Sequence, residues 1–327
     1  MRHTARHTLL CAGVAALLAP ASAGAVTVAA STYTLLTQPG SGHSALYRLI
    51  NNATTSINLT MYELNDATAT ADLAAAQARG VTVRVILDGK QTSVNSTAYT
   101  YLKNHGVGVV HSSSAYYYTH EKSMVVDGAT AVVMSENWTP AYYSADRNFD
   151  LIENDAADVA AMQAVFNADY AKSSITPSDG DDLVWSPTDA QSRLLALING
   201  ATTSLSLYAL EMDSTPIVNA LVSAAGRGVT VKIVAEYNSA YAAAYHRLKA
   251  AGAGIVTYGT SDALYIHAKA IVADYGTSAA KVYVGSQNFT GTSLNANREL
   301  GLIISNGAVL ASVNSTLATD FADGTAW

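Results

Sequence analysis

The chain has 327 residues, half of them hydrophobic, and carries a formal net charge of −7. A chain of this length buries one large core, or two of roughly 150 residues each, without covalent staples. The acidic balance excludes a built-in long-range attraction to polyanions, and a single cysteine, Cys11, excludes a disulfide framework.

At the N-terminus, "MRHTARH" is basic, "TLLCAGVAALLA" is apolar and "PASAGA" offers small-residue cleavage sites after Ala23 or Ala25. Residues 1–25 therefore read as a secretory signal peptide, and the mature protein is expected to be secreted. Removal of this segment takes away Cys11, Arg2 and Arg6 and leaves 16 basic against 25 acidic residues, a net charge of −9. No later stretch reaches the roughly 18 uninterrupted apolar residues of a membrane helix.

Residues 26–171 form a first half. Its predicted elements are a helix ending at "ATTS", an alternating strand from Ser56 to Tyr62, an Ala-rich helix closed by Gly80 and a Val-rich strand. A second helix, "TAYTYLKNHG", leads into three short strands, the first carrying His120-x-Lys122 and the third carrying "NFDLIE". Residues 172–182, "KSSITPSDGDD", have the composition of a linker. Residues 183–327 then repeat the order: "LINNATTSINLTMYEL" at 49–64 matches "LINGATTSLSLYALEM" at 197–212, and "ARGVTVRVILD" at 78–88 matches "GRGVTVKIVAE" at 226–236, both at an offset of 148. The expected fold class is α/β: two homologous halves, each a mixed β-sheet flanked by helices, packed about a pseudo-twofold axis with equivalent loops facing each other.

Within this repeat, "YTHEKSMVVDG" at 118–128 and "YIHAKAIVADY" at 265–275 fall in register. Residues i and i+2 of a strand share a face, so His120 projects with Lys122 and His267 with Lys269. Asp127 and Asp274 lie an odd number of positions beyond the lysines and read as structural turn residues. Each motif is followed by an amide, Asn137 in "SEN" and Asn288 in "GSQN", and then by an acid on the last strand, Asp150 and Glu299. A buried acid beside an imidazole fixes its tautomer and favours its charged form. Asn amides and Lys ammonium groups donate to non-bridging phosphate oxygens.

Two His-x-Lys-x4-Asp motifs, each followed by Ser-x-Asn and then an acid, resemble the phospholipase D superfamily over essentially the whole mature chain. The resemblance implies one active site shared by both halves, in which one His attacks phosphorus to give a phosphohistidine and the other protonates the leaving alcohol. It implies no metal and no other cofactor. Carried over by position, His120, Lys122, Asp150, His267, Lys269 and Glu299 are the expected catalytic residues, with Asn137 and Asn288 binding phosphate and each acid polarising the His of its own half. The first half departs from the pattern at Met134, where the second has Gly285.

The remaining histidines, His43, His105, His111 and His246, have no matching partners and read as surface or packing residues, while Glu63 and Glu211 read as exposed loop acids. The tyrosines Tyr116, Tyr117 and Tyr118 run into His120, and Trp138, Tyr142 and Tyr143 follow Asn137. They either pack locally or wall a pocket able to hold a quaternary ammonium by cation–π contact. Three function classes follow. The first is a secreted phospholipase D that cleaves the distal phosphodiester of a glycerophospholipid such as phosphatidylcholine, with transient membrane-surface contact. The second is a secreted metal-independent nuclease, and the third a non-catalytic binding or envelope protein. Acidic charge without a basic cluster weighs against the nucleic acid as substrate. The presence of both halves in one chain points to a monomer.

Overall fold

The computed structural model describes Met1 and residues 31–327; the expected signal peptide, 1–25, lies outside the described residues apart from Met1. The first half contains β1 (Tyr33–Gln38), α1 (Ser44–Asn52), β2 (Ser56–Met61), α2 (Ala67–Ala78), β3 (Thr82–Leu87), α3 (Thr92–Asn104), β4 (Gly108–His111), β5 (Ser123–Val126), β6 (Thr130–Met134), β7 (Asp146–Glu153) and α4 (Ala156–Tyr170). Residues 173–179 carry no helix, strand or turn. The second half contains β8 (Leu183–Ser186), α5 (Ala190–Gly200), β9 (Ser204–Ala209), α6 (Thr215–Gly226), β10 (Thr230–Glu236), α7 (Ala242–Ala250), β11 (Gly254–Tyr258), β12 (Tyr265–Ile266), β13 (Lys269–Ala273), β14 (Lys281–Gly285), α8 (Gly291–Asn295), β15 (Glu299–Ile304), α9 (Gly307–Asp323) and β16 (Thr325–Ala326).

Two mixed sheets result, and they bear out the α/β class. The first runs β1-β7-β6-β5-β2-β3-β4, with β12 of the second half added beside β7; the other runs β16-β11-β10-β9-β13-β14-β15-β8. In both, the strands joined by crossover helices pair in parallel and the meander after the second helix pairs antiparallel. The edge strands β1 and β8 and the closing helices α4 and α9 are additional to the elements expected from sequence. So is β4, which precedes the His-x-Lys segment. Helices α4 and α9 each bury one face in a shared core, where Val159, Met162, Val165, Val309 and Val313 pack with Phe149 and Leu302 from both sheets, while exposed alanines on their outer faces blur the apolar stripe in the sequence.

The recurrent "ATTS" has a structural cause. Asp127 and Asp274 close the turns after β5 and β13 at positive φ, 55° and 51°. The Asp127 carboxylate accepts from the backbone N–H groups of Thr54, Thr55 and Ser56 and from both threonine hydroxyls, and Asp274 does the same with Thr202, Thr203 and Ser204. Each therefore fastens the start of the strand next to its own motif, a structural task as read from the sequence.

Ion pairs mark the twofold relation between the halves. Arg147 on β7 pairs with Asp320 on α9 at 2.7 Å, and Arg298, just before β15, pairs with Asp169 on α4 at 2.8 Å. Both partners are offset by 151 positions, and both pairs cross from one half to the other.

Candidate active site

Short backbone pairings carry each histidine segment across to the opposite half. Arg298 N–H donates to Tyr118 O at 2.8 Å and Glu121 N–H to Arg298 O at 3.0 Å. In the equivalent place, β12 pairs in parallel with β7, Tyr265 opposite Asp146 and Ile266 opposite Arg147. His120 therefore arrives beside Glu299, and His267 beside Asn148.

This corrects the expectation that each acid holds the His of its own half. Glu299 Oε2 bonds His120 Nδ1 at 2.8 Å, across the two halves. Its other oxygen accepts from Ser293 Oγ at 2.5 Å and Asn297 Nδ2 at 2.9 Å, so the wholly buried carboxylate is fully engaged. His267 Nδ1 bonds Asn148 Oδ1 at 2.8 Å, and Ser135 Oγ donates to the same oxygen at 2.8 Å.

Asp150 does not reach His267. It lies two residues further along β7, opposite Met134, just as Gly301 lies opposite Gly285. Its carboxyl is buried with Gln38 and Glu136, and burial together with Glu136 raises its pKa well above the ordinary value. In the second half that space is filled by Tyr283 and Gln287: a Cβ on Gly301 would lie 2.5 Å from the Tyr283 ring, and one on Gly285 would lie 2.5 Å from Gly301 Cα. Met134 is tolerated because Val132 stands where the second half has Tyr283.

The lysines are fully buried. Lys122 Nζ donates to His120 O at 2.7 Å, and Lys269 Nζ donates to His267 O. Burial and the neighbouring Lys269 hold Lys122 well below its ordinary pKa, with Glu299 and Glu63 opposing; burial lowers Lys269 to about 8, with Glu299, Glu211 and Asp146 opposing. Glu63 and Glu211 are half-buried and face the lysines electrostatically, contrary to their reading as exposed acids. Burial, reinforced by Lys122 and opposed by Glu299, pushes His120 down to about 4. Burial, then Lys269, Lys122 and His120, holds His267 well below the usual range. Against its own burial, Glu299 is held below the usual carboxylate range by His120 and Lys122. These mutual influences bring all four motif side chains into one electrostatic unit.

Two pockets flank that unit. His120 opens on one of about 160 Å³ with Asn288, Tyr62, Tyr118 and Glu211 in its wall; His267 opens on one of about 500 Å³ that includes Asn137. Each asparagine thus sits with the histidine of the other half. Tyr117 is exposed, but Lys90 Nζ covers its ring at 3.9 Å, which leaves that face poorly suited to a second cation. Tyr116 bonds Arg298. His43 is buried, bonded to Glu136 at 2.8 Å and stacked on Tyr143; His111 stacks on Tyr99; His105 and His246 are exposed. Among the described residues no group of three or more His, Cys, Asp or Glu is arranged to hold a metal ion, and no helix is long and apolar enough to cross a membrane.

Two equivalent α/β halves that bring paired His-Lys sets together define a class of phosphodiesterases and hydrolases that also includes synthases. The chain belongs to the phospholipase D superfamily: the family model "Cardiolipin synthase, PLD-like domain" matches residues 46–170 and again residues 194–321. Mitochondrial cardiolipin hydrolase of Xenopus tropicalis is 32% identical over 126 residues, 38% of this chain and 60% of that protein. Its Xenopus laevis counterpart is 30% identical over the same shares, so the chain spans about 60% of the length of these curated relatives. Phosphatidylserine synthase from Haemophilus influenzae superimposes with a TM-score of 0.70 at 12% identity, covering 90% of this chain and 87% of that one. Polyphosphate kinase from Porphyromonas gingivalis gives 0.69 at 13% identity, covering 88% and 50%. At these identities the structural likeness is one of fold.

Proposed function

We propose that the protein is a secreted phospholipase D-type phosphodiesterase that hydrolyses the distal phosphodiester of glycerophospholipids, such as phosphatidylcholine, to phosphatidate and the head-group alcohol. The observation that carries the phosphodiesterase chemistry of this reading is the unequal support of the two histidines, a buried, charged Glu299 on His120 and a neutral Asn148 on His267; the lipid substrate rests on the acidic charge of the chain and on the carboxylate- and tyrosine-lined pocket beside His267.

Glu299 accepts from His120 Nδ1–H, which leaves the Nε2 lone pair free to attack phosphorus and offsets the positive charge that develops on the ring. The bond from phosphorus to the head-group oxygen breaks as Nε2–P forms. The departing oxygen takes the Nε2 proton of His267, whose Nδ1–H remains on Asn148. His267 then removes a proton from water, whose oxygen attacks phosphorus and releases His120 and phosphatidate. Each Lys ammonium keeps two N–H groups beyond its bond to a His carbonyl. Those donors, with Asn137 and Asn288, stabilise charge on the equatorial phosphate oxygens. The bound phosphodiester supplies the negative charge that favours protonation of His267, which burial and the lysines otherwise oppose. In this reading the enzyme works as a monomer in transient contact with a membrane surface.

The test is a product assay on phosphatidylcholine vesicles and on plasmid DNA, side by side in excess chelator. Release of choline with phosphatidate, and phosphatidyl alcohol when a primary alcohol is added, supports the reading. Cut DNA with untouched lipid replaces it with a nuclease.

A further inference from the structure

We propose that the pocket beside His267 is a binding site for an ammonium group carried on the leaving alcohol; this rests on the phosphodiesterase reading above and narrows its substrate class. The pocket, at about 500 Å³, lies within the usual range of small-ligand sites, roughly 300–1,000 Å³, whereas the 160 Å³ pocket beside His120 falls below it. It is also on the correct side. When His120 attacks phosphorus in line, the leaving oxygen departs toward the proton of His267, so the group attached to that oxygen enters this pocket.

The wall chemistry selects a cation. Two carboxylates, Asp146 and Asp262, and two tyrosine rings, Tyr142 and Tyr265, surround a floor of Asn137 and His267, and among the described residues lining the pocket there is no Lys or Arg. Tyr265 and Asp146 are register partners in the parallel pairing of β12 with β7, so ring and carboxylate are held side by side by backbone from both halves. Asp262 is fixed by Gly259 N–H at 2.6 Å. Asp146, by contrast, is half-buried, and no described side chain hydrogen-bonds or ion-pairs with its carboxylate. Arg147, the neighbouring cation, is committed to Asp320 and to Gln38 O. Tyr142 is 56% exposed and Tyr265 39%, which leaves ring surface free for an alkylammonium. A second phosphate or a nucleotide backbone would meet two carboxylates here, and the one lysine that faces Asp146, Lys269, is buried behind the pocket wall and bonded to His267 O.

Two measurements test the site separately from the reaction. Tetramethylammonium chloride is titrated into the protein and followed by ligand NMR line broadening, with the wild type, Asp146→Asn and Tyr142→Ala compared. Binding to the wild type that weakens about tenfold or more in either variant is expected, the size of a partly desolvated cation–π or ion-pair contact. No binding, or equal binding by all three proteins, overturns the site. In parallel, kcat/KM is measured on phosphatidylcholine, phosphatidylethanolamine and phosphatidylglycerol vesicles. Tyr142→Ala should lower the two ammonium lipids about tenfold and leave the glycerol lipid within about twofold. Equal loss on all three lipids, or none, also overturns the site while leaving the phospholipase reading intact. Tetramethylammonium binding without cleavage of any lipid upholds the pocket and sinks the phospholipase reading.

Discussion

The two halves are copies in backbone and unequal in chemistry. Each sends its His segment to the equivalent strand of the other half, β15 or β7, and each seats an Arg one residue before the side chain that receives the imidazole. In one case the receiver is Glu299, charged and triply bonded; in the other it is Asn148, neutral and shared with Ser135. Duplication supplies two of every part, and in the mechanism proposed above the carboxylate-to-amide difference assigns them separate tasks. An imidazole over a buried carboxylate is favoured as a nucleophile that becomes cationic. One over an amide gains no such help and is better placed to give up a proton.

The comparison breaks most visibly at the histidines. His120→Ala and His267→Ala should each reduce turnover by more than about 10² while the circular-dichroism spectrum stays native, since nucleophile and acid act as one unit and their losses do not add. Retention of more than about a hundredth of the activity by either variant would rule out paired-histidine catalysis. A trapped phosphohistidine should map to His120, and one found on His267 reverses the assignment of tasks. Next in size is Glu299→Gln, expected to slow turnover by on the order of 10² or more, because it removes the charge that balances the attacking ring. Asp150→Asn serves as its control. That residue lies in the Gln38–Glu136 cluster, with His43 rather than His120 or His267, so turnover should change less than about threefold, within the range of ordinary context effects.

The repeat, the α/β class and the convergence of the paired motifs were legible because each half is long enough to be matched to the other at a fixed offset. The acid assignment was not. Counting from His to the last acid gives Asp150 for the first half, but counting from the Ser-x-Asn amide gives the same 11-residue step to Asn148 and Glu299, each preceded by Arg. That step had the correct alignment in it; the expectation of a carboxylate at both sites hid it. The crossing of each histidine to the opposite half was beyond sequence reading altogether, since it depends on one two-residue strand pairing nearly 120 positions apart and one isolated bridge, Thr119 with Arg298, nearly 180 apart. The strand β12 has two residues and no pattern of its own.

Asn148→Asp makes the two sites alike and should act mainly on pH dependence. A carboxylate at hydrogen-bond distance raises the pKa of His267. The acid must be protonated, so activity is lost as pH rises through that value, and the alkaline limb of kcat/KM should move upward while the acid limb, set by the depressed pKa of His120, stays where it is. A shift of the acid limb instead would mean that His267, not His120, has to start neutral.

The smallest effect is expected where the halves do not differ at all. Asp127 and Asp274 make matching sets of bonds to three backbone amides and two hydroxyls, and those bonds hold both carboxylates below their ordinary pKa in the face of burial, Asp274 at about 2. Neither touches an imidazole or a lysine ammonium, so Asp127→Ala and Asp274→Ala should lower Tm by about 2–4 °C each, the scale of a lost carboxylate cap, and leave kcat within about twofold. The pH sign follows from the direction of the shift. A depressed carboxylate stabilises the fold above its unfolded pKa of about 4, and that contribution fades as the pH falls toward 2. The Tm difference between wild type and either variant should therefore be full at pH 6 and shrink between about pH 4 and 2. Unequal losses at pH 6 would show that the halves differ in stability as well as in chemistry, and a loss of turnover larger than the loss of fold would return these aspartates to the catalytic list.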